Sequence, residues 1–89
     1  MEFEMPTRKQ VNRKEYNAFL KNIPHDQRKT NFYVYEYDDF NEEEIFITET
    51  IDDEEPLAVI INLRHRKSKN EMWKVKTEYW IYEDILTDL

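Results

Sequence analysis

The sequence contains no cysteine and no glycine. Without cysteine, the chain can form neither disulfide bonds nor thiolate metal sites. This agrees with a reducing, cytoplasmic environment. Without glycine, the chain has neither a Gly-rich phosphate loop nor the sharp turn of an EF-hand, and the sequence predicts no cofactor and no metal site. Turn positions that need a positive φ must fall to other residues, and we expect them at Asn41, Asn70 or an aspartate.

Long apolar runs are also lacking. The longest covers residues 57–61, and the N-terminal MEFEMP has no basic flank followed by an apolar segment. The sequence therefore predicts neither a membrane-spanning helix nor a secretion signal. The bias toward Phe, Tyr, Ile, Asn and Lys is what AT-rich coding produces, and it points to a low-GC bacterium or a phage-like mobile element as the source.

What is present is enough for one core. Of the 89 residues, 39% are hydrophobic and 15% aromatic, which is too many core formers for a disordered acidic tail. We expect residues 1–89 to form a single small acidic domain.

The segment VNRKEYNAFLKNIP predicts a helix over residues 13–22. Asn12 can cap it, with Glu15 three residues later completing a capping box. Four apolar side chains fall on one face at helical spacing, and Pro24 ends the segment. The helix positions concerned are Tyr16, Phe19, Leu20 and Ile23.

From Asn31 the apolar period changes to two, which predicts four strands at residues 31–37, 44–51, 57–64 and 72–82. The connections are short, so consecutive strands should pair antiparallel. The predicted fold is therefore α+β, with one N-terminal helix packed on a four-stranded antiparallel meander. Residues 83–89 read either as a short C-terminal helix or as a tail.

Alternation assigns the strand residues to two faces. The face toward the helix should hold Phe32, Val34, Ile45, Ile47, Ile51, Leu57, Val59, Ile61, Leu63, Trp73, Val75, Tyr79 and Ile81. The reverse face should hold Tyr33, Tyr35, Tyr37, Phe46, Ile60, Met72, Trp80 and Tyr82. One short helix cannot cover both faces, so this aromatic reverse face is either a protein interface or a sheet surface stabilised by cross-strand pairs.

Charge is strongly segregated along the chain. Residues 30–63 contain eleven Asp and Glu and no Lys or Arg, whereas residues 64–76 contain six basic residues and one acidic residue. In a meander, the loops at 38–44 and 64–70 lie at the same end of the sheet and should partly neutralise each other. The cluster at 52–55 lies at the opposite end, with no basic loop beside it.

These features favour a non-enzymatic, acidic protein-binding module. We expect it to dock on a basic surface of a partner, which could be a nucleic-acid-binding enzyme, and to act as an inhibitor or nucleic-acid mimic. The candidate partner-binding residues are Asp38, Asp39, Glu42, Glu43, Glu44, Asp52, Asp53, Glu54, Glu55, Tyr33, Tyr35, Tyr37, Trp80 and Tyr82. A purely solvated acidic surface is the simpler reading of the carboxylates.

Two other classes of function stay open. The first is a nucleic-acid-binding accessory protein that uses the basic 64–70 hairpin and an N-terminal arm with Arg8, Lys9, Arg13 and Lys14. The second is a structural or oligomerisation subunit, such as a homodimer, that uses the aromatic face. No nucleophile, acid–base pair or metal-ligand spacing predicts catalysis.

Overall fold

The chain forms one α-helix and a five-stranded antiparallel sheet in the computed structural model, which describes residues 7–38, 40–51 and 55–82. The predicted α+β class is confirmed, and the predicted count of four strands is wrong. The elements are β1 (Arg8–Val11), α1 (Arg13–Lys21), a 3₁₀ turn (His25–Gln27), β2 (Arg28–Tyr37), β3 (Glu42–Ile51), β4 (Glu55–His65) and β5 (Lys74–Tyr82). The segment 83–89, predicted as helix or tail, lies outside the described residues.

The additional strand is β1, whose sequence RKQV contains a single apolar side chain. It pairs antiparallel with β5, and Lys9 lies opposite Ile81. The other four strands follow one another as the predicted meander, so the sheet order is β1-β5-β4-β3-β2. A polar four-residue segment has no alternation to read, and only its backbone pairing with β5 makes it a strand.

The helix α1 ends one residue before the predicted boundary. The Asn12 side chain accepts a hydrogen bond from the backbone N–H of Glu15 at 2.8 Å. The Glu15 carboxylate in turn accepts one from the Asn12 N–H at 3.5 Å. Both bonds of the predicted capping box are therefore present, and they satisfy N–H groups that the first helical turn leaves unpaired.

The buried core lies between α1 and one end of strands β4 and β5. Tyr16, Leu57, Ala58 and Ile81 are buried and contact one another. Partly buried side chains surround this cluster, namely Val11, Phe19, Leu20, Ile23, Ile51, Ile60 and Tyr79. The helix thus buries its apolar stripe as predicted, with Tyr16 at the centre of the contact.

The face assignment of β4 is wrong along most of its length. Residues paired across antiparallel strands share a face. Because Ala58 lies opposite Ile81, and Ile60 lies opposite Tyr79, both side chains face the helix. The reverse face receives Val59, Ile61 and Leu63 instead. The sequence LAVII is apolar at every position, so alternation cannot set its phase, as is usual for a central strand buried on both sides.

A β-bulge brings Leu57 into the core as well. Glu49 lies opposite Ala58 and Thr50 lies opposite Pro56, so Leu57 is an extra residue without a partner in the ladder. Such an insertion turns two successive side chains toward the same side of the sheet. Leu57 and Ala58 are both almost fully buried as a result.

The helix covers only part of the sheet. Nine helical residues span about 14 Å, whereas five strands span about 19 Å across and a ten-residue strand about 33 Å along. The strand β2, at the far edge, therefore stays exposed on both faces. Phe32 is 63% and Val34 46% exposed on the helix side, while Tyr33 and Tyr35 are 49% and 51% exposed on the other side.

Candidate protein-binding surface

The β2–β3 hairpin brings tyrosines and carboxylates together on the side of the sheet away from α1. Tyr35 lies opposite Glu44, and Tyr37 lies opposite Glu42. Tyr33 lies opposite Phe46, whose ring contacts that of Tyr35 edge-on with the centroids 5.6 Å apart. We call this surface the hairpin face, and its residues are Tyr33, Tyr35, Tyr37, Glu42, Glu44 and Phe46.

The tyrosines of the hairpin face are accessible rather than core residues. Each of the three is close to half exposed. Exposed aromatic rings in a contiguous patch are typical of surfaces that bind other proteins, because tyrosine combines a large apolar ring with a hydrogen-bonding hydroxyl. Five of the predicted partner-binding residues thus share one exposed surface.

The carboxylates of this face have no cationic partner among the described residues. Glu43, between Glu42 and Glu44 in the chain, points to the opposite face and forms an ion pair with Arg64 at 3.1 Å. Neither Glu42 nor Glu44 forms an ion pair with a described lysine, arginine or histidine. Because side chains alternate between the two faces of a strand, the EEE run is divided. The charge of Glu43 is neutralised, whereas those of Glu42 and Glu44 are not.

A shallow cleft of about 210 Å³ lies beside the uncompensated carboxylates. Tyr37, Glu42, Glu44, Leu63 and His65 line it, together with Glu43 and Arg64. A ring, two carboxylates and an aliphatic side chain are groups that can hold the stem and charged head of a lysine or arginine. The cleft therefore suits a cationic side chain better than an anionic one.

The loops at 38–44 and 64–70 lie at the same end of the sheet, as the sequence predicted, and the structure shows that they contact each other. The Arg66 N–H donates to the Asn41 carbonyl at 3.0 Å, and the Arg66 guanidinium donates to the Asn41 side chain and the Phe40 carbonyl at 3.4 Å. Arg64 and Arg66 also stack on the Trp73 ring, at 4.7 and 4.0 Å from its centroid. These contacts occupy two of the three cations in RHRK.

Trp73 and Met72 do not lie on the strand faces to which they were assigned. Strand β5 begins only at Lys74, so both residues belong to the β4–β5 loop. Met72 is exposed, and Trp73 is half-buried beside the two arginines. The sequence does show a tryptophan close to several basic residues, a combination that favours cation–π stacking. Assigning Trp73 to a strand face left this possibility out.

Positive φ angles occur at Asp38 and Phe40 in the β2–β3 loop. Asp38 is one of the aspartates the sequence offered for this role, whereas Phe40 was not expected. The neighbouring N–H of Asn41 donates to the Asp38 carbonyl at 3.1 Å and closes the turn. Asp38 is exposed at the tip of the hairpin, while Asp39 lies outside the described residues.

Trp80 and Tyr82 share a side of the sheet with the hairpin face but are remote from it. They lie on β5, about 14 Å or three strand spacings from β2. The guanidinium of Arg8 stacks on Trp80 at 4.7 Å, and the Trp80 ring N–H donates to Glu78 at 3.4 Å. These contacts assign Trp80 a structural role in holding β1 against β5.

Of the remaining acidic candidates, the structure describes only Glu55, which lies at the other end of the sheet. Glu55 begins β4 opposite Ile51 and is exposed. Asp52, Asp53 and Glu54 lie outside the described residues. Among the described residues, the length of β3 therefore separates Glu55 from Glu42, Glu43 and Glu44.

The basic arm and the basic hairpin are not brought together. Strand β1 pairs with residues 79–82 of β5, whereas the basic loop precedes residue 74. Five residues of extended strand separate the two groups by about 17 Å. Among the described residues, these two groups do not form one continuous basic patch for a nucleic-acid backbone.

Within the described ranges, the structure shows neither a metal-binding cluster nor a membrane-spanning helix. No three His, Asp or Glu side chains converge there as a metal-binding group. No described helix has the length and apolar character needed to cross a membrane.

Comparison with known proteins gives no relative for this fold. No family model, no curated protein and no solved structure matches the chain.

Proposed function

We propose that the protein is an acidic binding module whose hairpin face docks on a basic surface of a partner protein, as an inhibitor or nucleic-acid mimic. The observation that supports this most directly is the pairing of exposed tyrosines with uncompensated carboxylates on one surface. A purely solubilising surface would not need three half-exposed aromatic rings beside its charges.

The two kinds of side chain have different roles in this proposal. Glu42 and Glu44, about 7 Å apart along one strand, present successive negative charges to a groove that otherwise holds phosphates. Binding there releases the same kind of counterions that a nucleic acid would release. Tyr35 and Tyr37 supply apolar contact area and ring faces for lysine or arginine side chains of the partner.

The experiment begins with capture of the partner from the native host, followed by binding kinetics on the purified pair. The Glu42→Gln, Glu44→Gln double variant should weaken binding at least about tenfold, mainly through slower association, and should flatten its salt dependence. Substituting Tyr35 with Ser should increase the dissociation rate while leaving the fold intact.

The matched control is Asp26→Asn, Glu55→Gln, which changes the net charge by the same amount. Asp26 is exposed in the 3₁₀ turn before β2, and both it and Glu55 lie at the end of the sheet away from Glu42 and Glu44. This control should bind nearly as the wild type does. Equal binding by both double variants at every salt concentration would contradict the proposal and leave the carboxylates as solubilising surface. Binding of a duplex by the free protein in a low-salt gel shift would favour the nucleic-acid alternative.

A further inference from the structure

The outer edge of β2 is open from Thr30 to Glu36. No other strand pairs with it among the described residues, because β2 is the last strand in the sheet order. It pairs with β3 over ten consecutive residues without a register shift. From Thr30 to Tyr35 the sequence is TNFYVY, which contains no lysine, proline or glycine. Those residues and bulges are the usual means by which an edge strand avoids pairing with another chain.

The charges of β2 are arranged so that the strand is complementary to itself. Arg28 and Lys29 begin the strand, whereas Glu36 lies near its end and Asp38 follows it. Two copies placed antiparallel bring the basic start of each against the acidic end of the other. Within one chain, Glu36 lies opposite Glu43, a like-charge pair that costs stability. A second copy supplies the cations that Glu36 lacks.

We propose that β2 pairs antiparallel with β2 of a second copy, so that two sheets join into one of ten strands. Paired residues must share a face, which allows a two-fold axis perpendicular to the sheet at Tyr33. In this register Phe32 of each copy lies opposite Val34 of the other, and both side chains are exposed in the single chain. Glu36 then lies opposite Thr30 and diagonal to Arg28.

The second copy follows from the sequence of the strand itself. Each apolar side chain on the helix side of β2 finds an apolar partner, and neither charged end meets a like charge. The unpaired backbone N–H and C=O groups of the edge are satisfied by the same pairing. The helix α1 does not reach β2, which leaves apolar side chains exposed on this strand. Pairing with a second copy reduces that exposure.

This arrangement goes beyond the proposed function and does not depend on it. An axis perpendicular to the sheet places the hairpin faces of both copies on the same side. A partner with an extended basic surface would meet two such faces at once, which raises its apparent affinity without a new contact. A single copy could still bind through one face.

The test is the mass of the full chain in sedimentation equilibrium, over a range of concentrations. The wild type should reach twice the chain mass of 11.1 kDa. The exposed valine on β2 is changed in Val34→Lys, which places a charge at the new strand junction. This change should raise the dimer dissociation constant at least about 30-fold, the effect of losing a hot-spot residue.

The matched control is Val75→Lys. Val75 is 57% exposed on the same side of the sheet but lies on β5, three strand positions away from β2. The Val75→Lys variant should dimerise as the wild type does. A wild type that stays monomeric, or equal effects of the two lysines, would overturn the proposal. Loss of the dimer in Tyr35→Ser but not in Val34→Lys would assign dimerisation to the hairpin face and overturn it as well.

Two further measurements remain decisive if Val34→Lys folds poorly. Glu36→Lys removes the like-charge pair with Glu43, yet should weaken the dimer because the new lysine approaches Arg28 of the other copy. The β2 backbone amides should exchange hydrogen more slowly as protein concentration rises, while those of β1 should not change. Concentration-independent exchange in β2 would contradict strand pairing.

Discussion

Tyr16 is the residue on which the helix and the sheet meet. Its side chain is 2% exposed, and its hydroxyl has no hydrogen-bond partner among the described residues. The nearby Glu49 carboxylate is also buried and accepts a hydrogen bond from the Thr30 hydroxyl at 2.8 Å. Burial, together with the negative charge of Glu49, raises the pKa of Tyr16 to about 12, although Arg28 acts in the opposite direction.

This pKa predicts a loss of stability in alkaline solution. Below pH 10 the tyrosine is protonated in both the folded and the unfolded chain and adds no pH dependence. Above it, the unfolded chain releases the proton first, so Tyr16 should lower the free energy of unfolding by about 1.4 kcal/mol per pH unit until about pH 12. Urea denaturation at several pH values between about 9 and 12 measures this slope.

The control is Tyr16→Phe, which removes the titrating group and keeps the ring. This variant should lose less stability than the wild type over the same alkaline range. Near neutral pH it should be as stable as the wild type or slightly more stable, because a buried hydroxyl without a partner is removed. Parallel pH profiles for the two proteins would show that Tyr16 does not carry the alkaline transition.

At the scale of elements, α1 depends on its cap because it is short. A nine-residue helix is well below the length at which isolated helices are stable in water. Its capping box and its contact with β4 and β5 must therefore supply the stability. Asn12, which accepts the bond from the Glu15 N–H, carries the first of these contributions.

Replacing Asn12 with Ala should lower the free energy of unfolding by about 1 kcal/mol. The matched control is Asn17→Ala, at an exposed position in the middle of the same helix. Alanine has the higher helix propensity, so this control should be neutral or stabilising by about 0.5 kcal/mol. Chemical denaturation of the two variants tests both values, and an equal loss in both would show that the cap contributes nothing specific.

At the scale of the whole molecule, apolar burial is concentrated around β4 and β5 rather than at β2. The cluster of Tyr16, Leu57, Ala58 and Ile81 joins α1 to β4 and β5, whereas β2 has exposed apolar side chains on both faces. Local opening is easiest where few buried contacts must be broken. The β2 end of the sheet should therefore open before the β4–β5 end.

Native-state hydrogen exchange at low protein concentration measures this difference. The slowest amides should lie in β4, and the β2 amides that bond to β3 should exchange at least about tenfold faster. Low concentration keeps β2 free of the strand pairing proposed above. Equal protection of β2 and β4 would mean that the sheet opens as one cooperative unit.

Local patterns predicted the helix and four of the strands because the signals for these elements lie within a few neighbouring residues. Asn12 and Glu15 are three positions apart, and the alternation of NFYVYEY needs no distant partner to be recognised. Part of the hairpin face was predictable in the same way. Once β2 and β3 pair, Tyr33, Tyr35, Tyr37 and the carboxylates of alternate β3 positions must share a side.

The tertiary structure alone decided which residues meet across the sheet. The polar segment β1 becomes a strand because β5 offers it unpaired backbone groups, and the bulge at Leu57 turns two successive residues inward. Glu43 pairs with Arg64 on one side of the sheet, whereas Glu42 and Glu44 lie on the other side without such a partner among the described residues. Composition and periodicity therefore determined the fold class and the elements, since both arise from local preferences. Strand register, which depends on long-range backbone pairing, decided which side chains form a surface.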